Sequence, residues 1–303
     1  GLKVYEYNCD SASCYMETGK VQGKWFNHHK LNDDENGGKD LFKDLVKAWK
    51  KSHVKGVVHI LRDDDPEEEY HALFMQDAIR AAGLNSKVII GLNGLEWDEN
   101  DNIIDEDGEQ VSWVWKTWAW ETALDQIRQE CENLDKQQNV YEPDQQKGKA
   151  IGLSDVLFRK NVMVFEPLWS LIPSNKAILP VLWSLFPNHP LLLNSSFELS
   201  DELKALGYVA KPIVGRCGAN ISLFSKNEEL VESTDGHFSE QEKIYQQYFP
   251  LPHVEGSYTQ VSTFMVAGVY SGSGVRVDRS RVINKNSDCL PLQFVNDKQF
   301  LQE

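Results

Sequence analysis

Cysteine is scarce: the 303 residues hold five, Cys9, Cys14, Cys131, Cys217 and Cys289, an odd number with no Cys-x-x-Cys pair. That excludes a disulfide framework and a thiolate zinc site, and leaves reduced thiols in a cytoplasm as the expectation. Long apolar runs are missing too, with a mean hydropathy of −0.46, so no membrane span is expected. Basic residues fall short of acidic ones, 31 Lys plus Arg against 46 Asp plus Glu, for a formal net charge of −15. A phosphate-backbone binder needs clustered Lys and Arg to release counterions, so no nucleic-acid partner is expected. A polycationic small molecule would be drawn in. Gly-x-x-x-x-Gly-Lys-[Ser/Thr], His-Glu-x-x-His and Gly-x-Ser-x-Gly are absent, which argues against a P-loop kinase and a zinc hydrolase. Neither an initiator Met nor a secretory leader precedes the strand-like residues 2–8, as in a fragment that opens inside a domain.

The apolar share is 41% and the aromatic share 11%, enough to bury a core divided between two or three lobes. Polar, turn-rich stretches at 32–39, 98–109 and 133–149 read as surface loops. The first third alternates: an opening strand, a helix over 41–51, a buried strand over 57–61, a helix capped by Asp65 with Pro66 at its first position, and a strand over 87–90. Tyr70, Leu73, Phe74, Ala78 and Ile79 supply that helix's apolar face. Strand, helix, strand in this order predicts an α/β lobe. Farther along, Lys176 stands in an otherwise apolar helix, Ser200 caps a short helix ending at Gly207, and strands over 208–213 and 221–224 flank a glycine-rich hairpin tip. The stretch 258–283 alternates as strand, with Gly272 and Gly274 at a turn.

Some constellations can carry chemistry. Backbone N–H groups at Gly215 and Gly218 can approach phosphate oxygens, with Lys211 upstream and Arg216 at the tip supplying charge; a tight turn needing positive φ explains the glycines equally well. Lys176 adds a cation, or is a snorkelling surface lysine. Glu6 and Asn8, two apart on a strand, with Asp10, Ser11 and Ser13 following, offer hard oxygens for Mg2+; a solvent-facing edge with an Asx turn is the alternative. Glu67, Glu68 and Glu69 complement a helix N-terminus, and beside Asp63 and Asp64 they also form an ammonium trap. Trp113, Trp115, Trp118 and Trp120 read as core, with Thr122 able to present a hydroxyl. The eight histidines are scattered and read as surface or packing residues.

Taken in order, Tyr5-Glu6-Tyr7-Asn8-Cys9-Asp10-Ser11-Ala12-Ser13-Cys14, Val114-Trp115-Lys116-Thr117-Trp118-Ala119-Trp120-Glu121-Thr122, Glu166-Pro167-Leu168-Trp169, Asn175-Lys176-Ala177-Ile178-Leu179-Pro180 and Lys211-Pro212-Ile213-Val214-Gly215-Arg216-Cys217-Gly218 resemble the synthetase domain of glutathionylspermidine synthase almost end to end. The resemblance implies an α/β (α+β) ATP-grasp with an associated substrate lobe. Residues 1–30 and 255–303 would form its metal and catalytic part, 31–160 the α/β glutathione- and polyamine-binding lobe, and 161–254 the nucleotide lobe with a glycine-rich lid.

It further implies a cytoplasmic ligase that uses ATP and Mg2+ to join the glycine carboxylate of glutathione to spermidine through a glycyl phosphate. Glu6 and Asn8 would hold Mg2+. Lys176 and Lys211 would meet the ATP phosphates, with Arg216, Cys217 and Gly218 in the loop over them. Gln246, Gln247, Tyr248 and Phe249 fall at the adenine hinge, and Gln260, Arg281, Val282 and Ile283 match other nucleotide contacts. Ser11, Ser13 and Thr122 would hold glutathione. Arg276 would stabilise the acyl phosphate, assisted by Ser13 and Arg216, while Glu67, Glu68 and Asp288 would receive the polyamine. Two departures stand out. The family's strand bearing an Arg for glutathione and an Asp for Mg2+ would lie before Gly1, and the cysteine amidase domain of some members is not in this sequence. The resemblance leaves room for a homodimer. A different amine or peptide acceptor, or nucleotide binding without turnover, are the rival readings.

Overall fold

The 41–51 segment places Leu41, Leu45, Val46 and Trp49 on one side at helical spacing. In the computed structural model, which describes residues 1–10, 13–136 and 150–297, it forms a helix with Leu41 and Trp49 buried. Ahead of it, one π-helical turn, Glu17–Val21, runs into α1, Gln22–His29. The 41–51 helix is α2, Leu41–Lys51. The β-branched run that follows is β1, Val57–Arg62. The Asp65 side chain then accepts from the Glu67 and Glu68 N–H groups and starts α3, Pro66–Ala81, satisfying donors that a helix N-terminus leaves orphaned. Leu73 departs from expectation, being 45% exposed, because a sixteen-residue helix lying on a sheet buries only one stripe.

Next come β2, Asn85–Ile90, and a small ribbon of β3, Glu96–Trp97, with β4, Ile103–Ile104. The expected loop 98–109 therefore carries one strand of this pair, β4, pinned by Ile103, which is 1% exposed. After β5, Trp113–Lys116, come α4, Trp120–Lys136, α5, Leu153–Leu157, and β6, Met163–Phe165. Strands β2, β1, β5 and β6 form one parallel sheet in that order. Period-2 alternation sends Val58, Ile60 and Trp115 into a core with α2 and α3, and Leu61, Ile89, Val114 and Val164 into a second core with α4 and α5. Helices on both faces are what an all-parallel sheet requires.

Two short helices follow, α6, Leu171–Ser174, and α7, Ile178–Leu185. Lys176 thus lies in the turn between them, not inside a helix. Then β7, Ser195–Ser196, and α8, Asp201–Leu206, with its Ser200 cap, lead into β8, Tyr208–Pro212, β9, Ser222–Phe224, β10, Leu230–Ser233, and β11, Lys243–Gln247. These form a largely antiparallel sheet in the order β10, β9, β8, β11, β7. A third sheet joins β12, His253–Val254, β13, Ser257–Val266, β14, Val269–Asp278, and β15, Asp288–Leu290. Its hairpin turns at Ala267 and Gly268, both with positive φ. Gly272 and Gly274 lie inside β14 instead, where a Cβ on Gly274 would sit 2.5 Å from Thr18 Oγ1. Close approach, not turning, is their use.

The expected opening strand is absent too. Residues 2–8 are extended without a ladder, held by single bonds such as Val4 N–H to Leu191 O at 2.9 Å. Side chains supply the rest: the Lys3 ammonium donates to the carbonyls of Pro190 and Leu192.

Buried in the parallel lobe, His59 is 0% exposed and its Nε2 lies 3.1 Å from Asp105 Oδ2, with Lys87 3.2 Å from the same oxygen. Burial first, then Lys87, lowers the His59 pKa despite Asp105, and Asp105 is itself held below its ordinary value despite burial. An unfolded chain takes up a proton at His59 near pH 6.5 that the folded one refuses. Stability from this site is therefore present above that pH and lost below it. Between pH 7.5 and pH 5.5 the urea midpoint should fall, and a His59→Asn variant should show a shallower fall; equal slopes would refute the assignment.

Candidate functional site

The extended segment 2–8 crosses the open end of the antiparallel sheet and brings its side chains to two lysines. Lys176, fixed by its turn between α6 and α7, donates to Gly215 O at 2.8 Å and lies 3.4 Å from Glu6 Oε2. Lys211, on the central strand β8, donates to Gln246 Oε1 at 2.7 Å and to Tyr5 O at 3.1 Å. Residue exposure is 8% for Lys176 and 7% for Lys211, so neither is a snorkelling surface lysine. Burial pushes the Lys211 pKa down to about 8, with Glu6 opposing and Lys176 adding to the fall. Burial would raise the Glu6 carboxyl, yet Lys176 and Lys211, with hydrogen bonds from Lys176 and Asn8, hold it below the usual carboxylate range. Two ammonium groups share one carboxylate here, an arrangement with spare positive charge for an anion.

Above this cluster the β8–β9 hairpin carries its tip, with Cys217 and Gly218 at φ 50° and 70°. A Cβ at Gly218 would come within 2.5 Å of Ile283 O and 2.8 Å of Val282 Cγ1, so the tip rests directly on those two buried residues. Gly218 thus meets the turn reading, whereas Gly215 does not have a positive φ. Arg216 reaches the other way: its Nη2 donates to Glu121 Oε2 at 3.1 Å and lies 3.8 Å from Asp10 Oδ1.

Asp10 is the pivot below, 1% exposed. Its Oδ2 accepts from the Trp120 N–H at 2.7 Å, at the first residue of α4, where a carboxylate complements the helix dipole. Ser174 Oγ accepts from the N–H groups of Cys9 and Asp10. Close by, Lys116 donates to Trp118 O at 2.7 Å and sits 4.5 Å from the Trp120 ring centroid. Burial lowers its pKa to about 8 against the pull of Asp10 and Glu166, while burial chiefly raises Glu166 to about 7.

On the third sheet, Gln260 of β13 pairs in register with Arg276 of β14, and Arg276 with Cys289 of β15. The Arg276 guanidinium donates to Asn284 O, and its Nε is buried without a hydrogen-bond partner. Burial first and then Glu67 raise the Cys217 thiol, with Arg276 and Arg216 opposing. Glu68 is half-buried, with Oε2 also lacking a partner. Arg281 lies 3.6 Å from Glu232 Oε2 and 5.2 Å over the Tyr258 ring. It also hydrogen-bonds Tyr248.

At the expected hinge, Gln246 is buried, the N–H groups of Gln247 and Tyr248 donate to Asn194 O and Gly207 O, and Phe249 O accepts from the Tyr5 hydroxyl. Thr122, Ser13 and Asp288 are exposed at the rim. Ser11 lies outside the described residues, as do 137–149 of the expected loop. Among the described residues no three His, Cys, Asp or Glu side chains group as a metal site. Glu6 and Asn8 are the oxygen pair the sequence reading offers for Mg2+; Asp10, offered beside them, is instead engaged by the Trp120 N–H and Arg216, and Lys116, Glu121 and Ser174 were missed. No local signal could have found them, since Asp10 and Trp120 are 110 residues apart.

The family model described as glutathionylspermidine synthase preATP-grasp matches residues 1–295. The bifunctional glutathionylspermidine synthetase/amidase of Escherichia coli (strain K12) is 49% identical over 295 residues, covering 97% of this chain and 47% of the relative. The trypanothione synthetase of Crithidia fasciculata is 36% identical over 290 residues, covering 94% and 44%. The chain spans about half the length of the curated relatives it matches. Among solved structures, a glutathione synthetase-like effector from Globodera pallida aligns over 97% of this chain and 71% of its own, with TM-score 0.56 at 10% identity, a likeness of fold alone. No helix among the described residues is long and apolar enough to cross a membrane.

Proposed function

The chain belongs to the glutathionylspermidine synthase preATP-grasp family, and from that premise we propose that it carries an ATP-dependent carbon–nitrogen ligase that joins the glycine carboxylate of glutathione to spermidine. The observation that carries the reading is the buried pair Lys176 and Lys211 around Glu6, beneath a glycine-bearing hairpin tip. Two low-exposure cations sharing one carboxylate suit the phosphates of ATP. A carboxylate acylates an amine poorly until one oxygen is phosphorylated, so the glutathione carboxylate would pass through a glycyl phosphate.

In this reading the chain is an ATP-grasp. Residues 161–254 form the nucleotide lobe and lid, 31–160 the glutathione and polyamine lobe, and 1–30 with 255–303 the metal and catalytic part. Gln246, Gln247, Tyr248 and Phe249 line the adenine, with Gln260 of β13 and Arg281, Val282 and Ile283 of the loop between β14 and β15. Arg276, whose Nε points unpartnered into the interior, meets the charge that develops on the acyl phosphate, with Arg216 and Ser13 beside it. Ser11, Ser13 and Thr122 hold glutathione.

Mg2+ fits the donor set in part: the Glu6 carboxylate, kept ionised by its lysines, and the Asn8 amide oxygen are hard ligands. They would hold it, and it would screen charge on the phosphates. Glu67, Glu68 and Asp288 receive the polyamine, the unpartnered Glu68 oxygen awaiting an ammonium donor.

Replacing Glu67 and Glu68 together by Gln should raise the spermidine KM roughly tenfold or more, the worth of a charge-assisted hydrogen bond, and leave ATP affinity unchanged. Initial rates of ADP release, with glutathione and spermidine each omitted in turn, check this. Turnover that needs both substrates supports the ligase; unchanged spermidine kinetics in the double variant would remove the polyamine role.

A further inference from the structure

Cys14 and Cys289 are 275 residues apart in sequence, and their sulfurs lie 3.7 Å apart. Cys14 follows Ser13 with its backbone in the left-handed region, φ 59°, and is half-buried. Cys289 sits on β15 opposite Arg276 of β14. Both cysteines and Arg276 line one small cavity, together with Glu17, Thr18 and Trp25. The ligation chemistry uses neither thiol. The two sulfurs share one hydrogen bond; that bond first and Arg276 after it hold Cys289 below its ordinary value, while the same bond and burial raise Cys14. One sulfur is thus readied as the nucleophile and the other kept as a thiol beside it.

We propose that Cys14 and Cys289 form a dithiol modification site that a hydroperoxide converts into an intramolecular disulfide. The Cys289 thiolate attacks a peroxide oxygen; the O–O bond breaks, a sulfenic acid forms, and water or an alcohol leaves with the thiol's proton. Cys14 sulfur then attacks the sulfenic sulfur. The S–O bond breaks, the S–S bond forms, and hydroxide leaves as water with the Cys14 proton. Two thiols lose one electron each and one hydroperoxide is reduced. A disulfide of about 2.05 Å is reached from the observed spacing by side-chain rotation and a small closing of the backbone.

The cross-link ties the segment carrying Ser13 to β15, which carries Asp288, and alters the surroundings of Arg276. Ligation should stop while it persists. That second consequence rests on the proposed function; the cross-link itself does not.

The test treats the substrate-free chain with hydrogen peroxide, blocks remaining thiols, and compares intact mass and a non-reducing peptide map with ligase rate. The expected product has lost two hydrogens, joins the Cys14 and Cys289 peptides, and leaves the exposed Cys131 and Cys217 open to alkylation. Ligation should fall by about a hundredfold, the cost of roughly 1 Å misplacement, and return with dithiothreitol. A Cys289→Ser variant should ligate normally and lose the reversible inhibition. Separate oxidation of the two thiols without a cross-link, or a cross-link to another cysteine, would overturn the site. A Cys14–Cys289 cross-link with undiminished ligation would overturn the gating alone. A reduced chain with no turnover would count against the ligase reading and leave the mass measurement standing.

Discussion

Lys211→Met is expected to abolish binding of Mg-ATP and also to lower the melting temperature. The wild-type ammonium is buried, its pKa depressed to about 8, and its loss leaves Gln246 Oε1 and Tyr5 O without this donor and Glu6 without one of its two counter-charges. The binding loss should be large, because truncating one partner of a buried charge contact costs about 2–5 kcal/mol, some thirtyfold to several thousandfold in affinity. Calorimetric titration with Mg-ATP, beside a thermal melt, separates the two effects. Wild-type affinity should also weaken as pH rises through about 8, where the empty site gives up the proton a phosphate needs. Full affinity in the variant, or a pH-independent wild type, would contradict the phosphate role.

Asp10→Ala should be among the most destabilising single changes in the chain. Its carboxylate takes the first N–H of α4 and faces Arg216. It also raises the pKa of Lys116 against burial. Without it, a buried ammonium loses its counter-charge and a helix N–H its acceptor, a loss of about 3–5 kcal/mol. The melting temperature should drop on the order of 10 °C. Adding Lys116→Met to Asp10→Ala should recover part of that drop; strictly additive losses would show that the two groups are not coupled.

Much of the fold was readable because its signals are local. The α2 stripe, the Asp65–Pro66 start of α3, the Ser200 cap with Gly207, and the β8–β9 hairpin each lie within a few residues of their own cause. The site was legible only as a set of residue types. That Lys176 belongs in a turn beside Glu6 depends on segments 170 positions apart. Glycine misled for a related reason: at Gly272 and Gly274 the missing side chain admits Gly37, Gly38 and Thr18 rather than a turn. Gly38 makes the same point, since a Cβ there would fall 2.0 Å from Thr18 O, and nothing near it in sequence announces that contact.

The lashing of residues 2–10 to partners far downstream also sets a timetable. Tyr5 finds its acceptor at Phe249 O, Glu6 its counter-charge at Lys176, and Asp10 its donor at the Trp120 N–H, while Lys211 donates to Tyr5 O. On a ribosome adding about 5–20 residues per second, the segment that opens the site waits roughly 10–50 s for strand β11 to emerge. Throughout that interval the nascent parallel lobe can close its own cores, since β1, β2, β5 and β6 all precede residue 170. The lysine cluster around Glu6 therefore matures last, on a scaffold already set, and a nascent chain arrested before Gln246 should present a folded parallel lobe with residues 2–10 still open to protease.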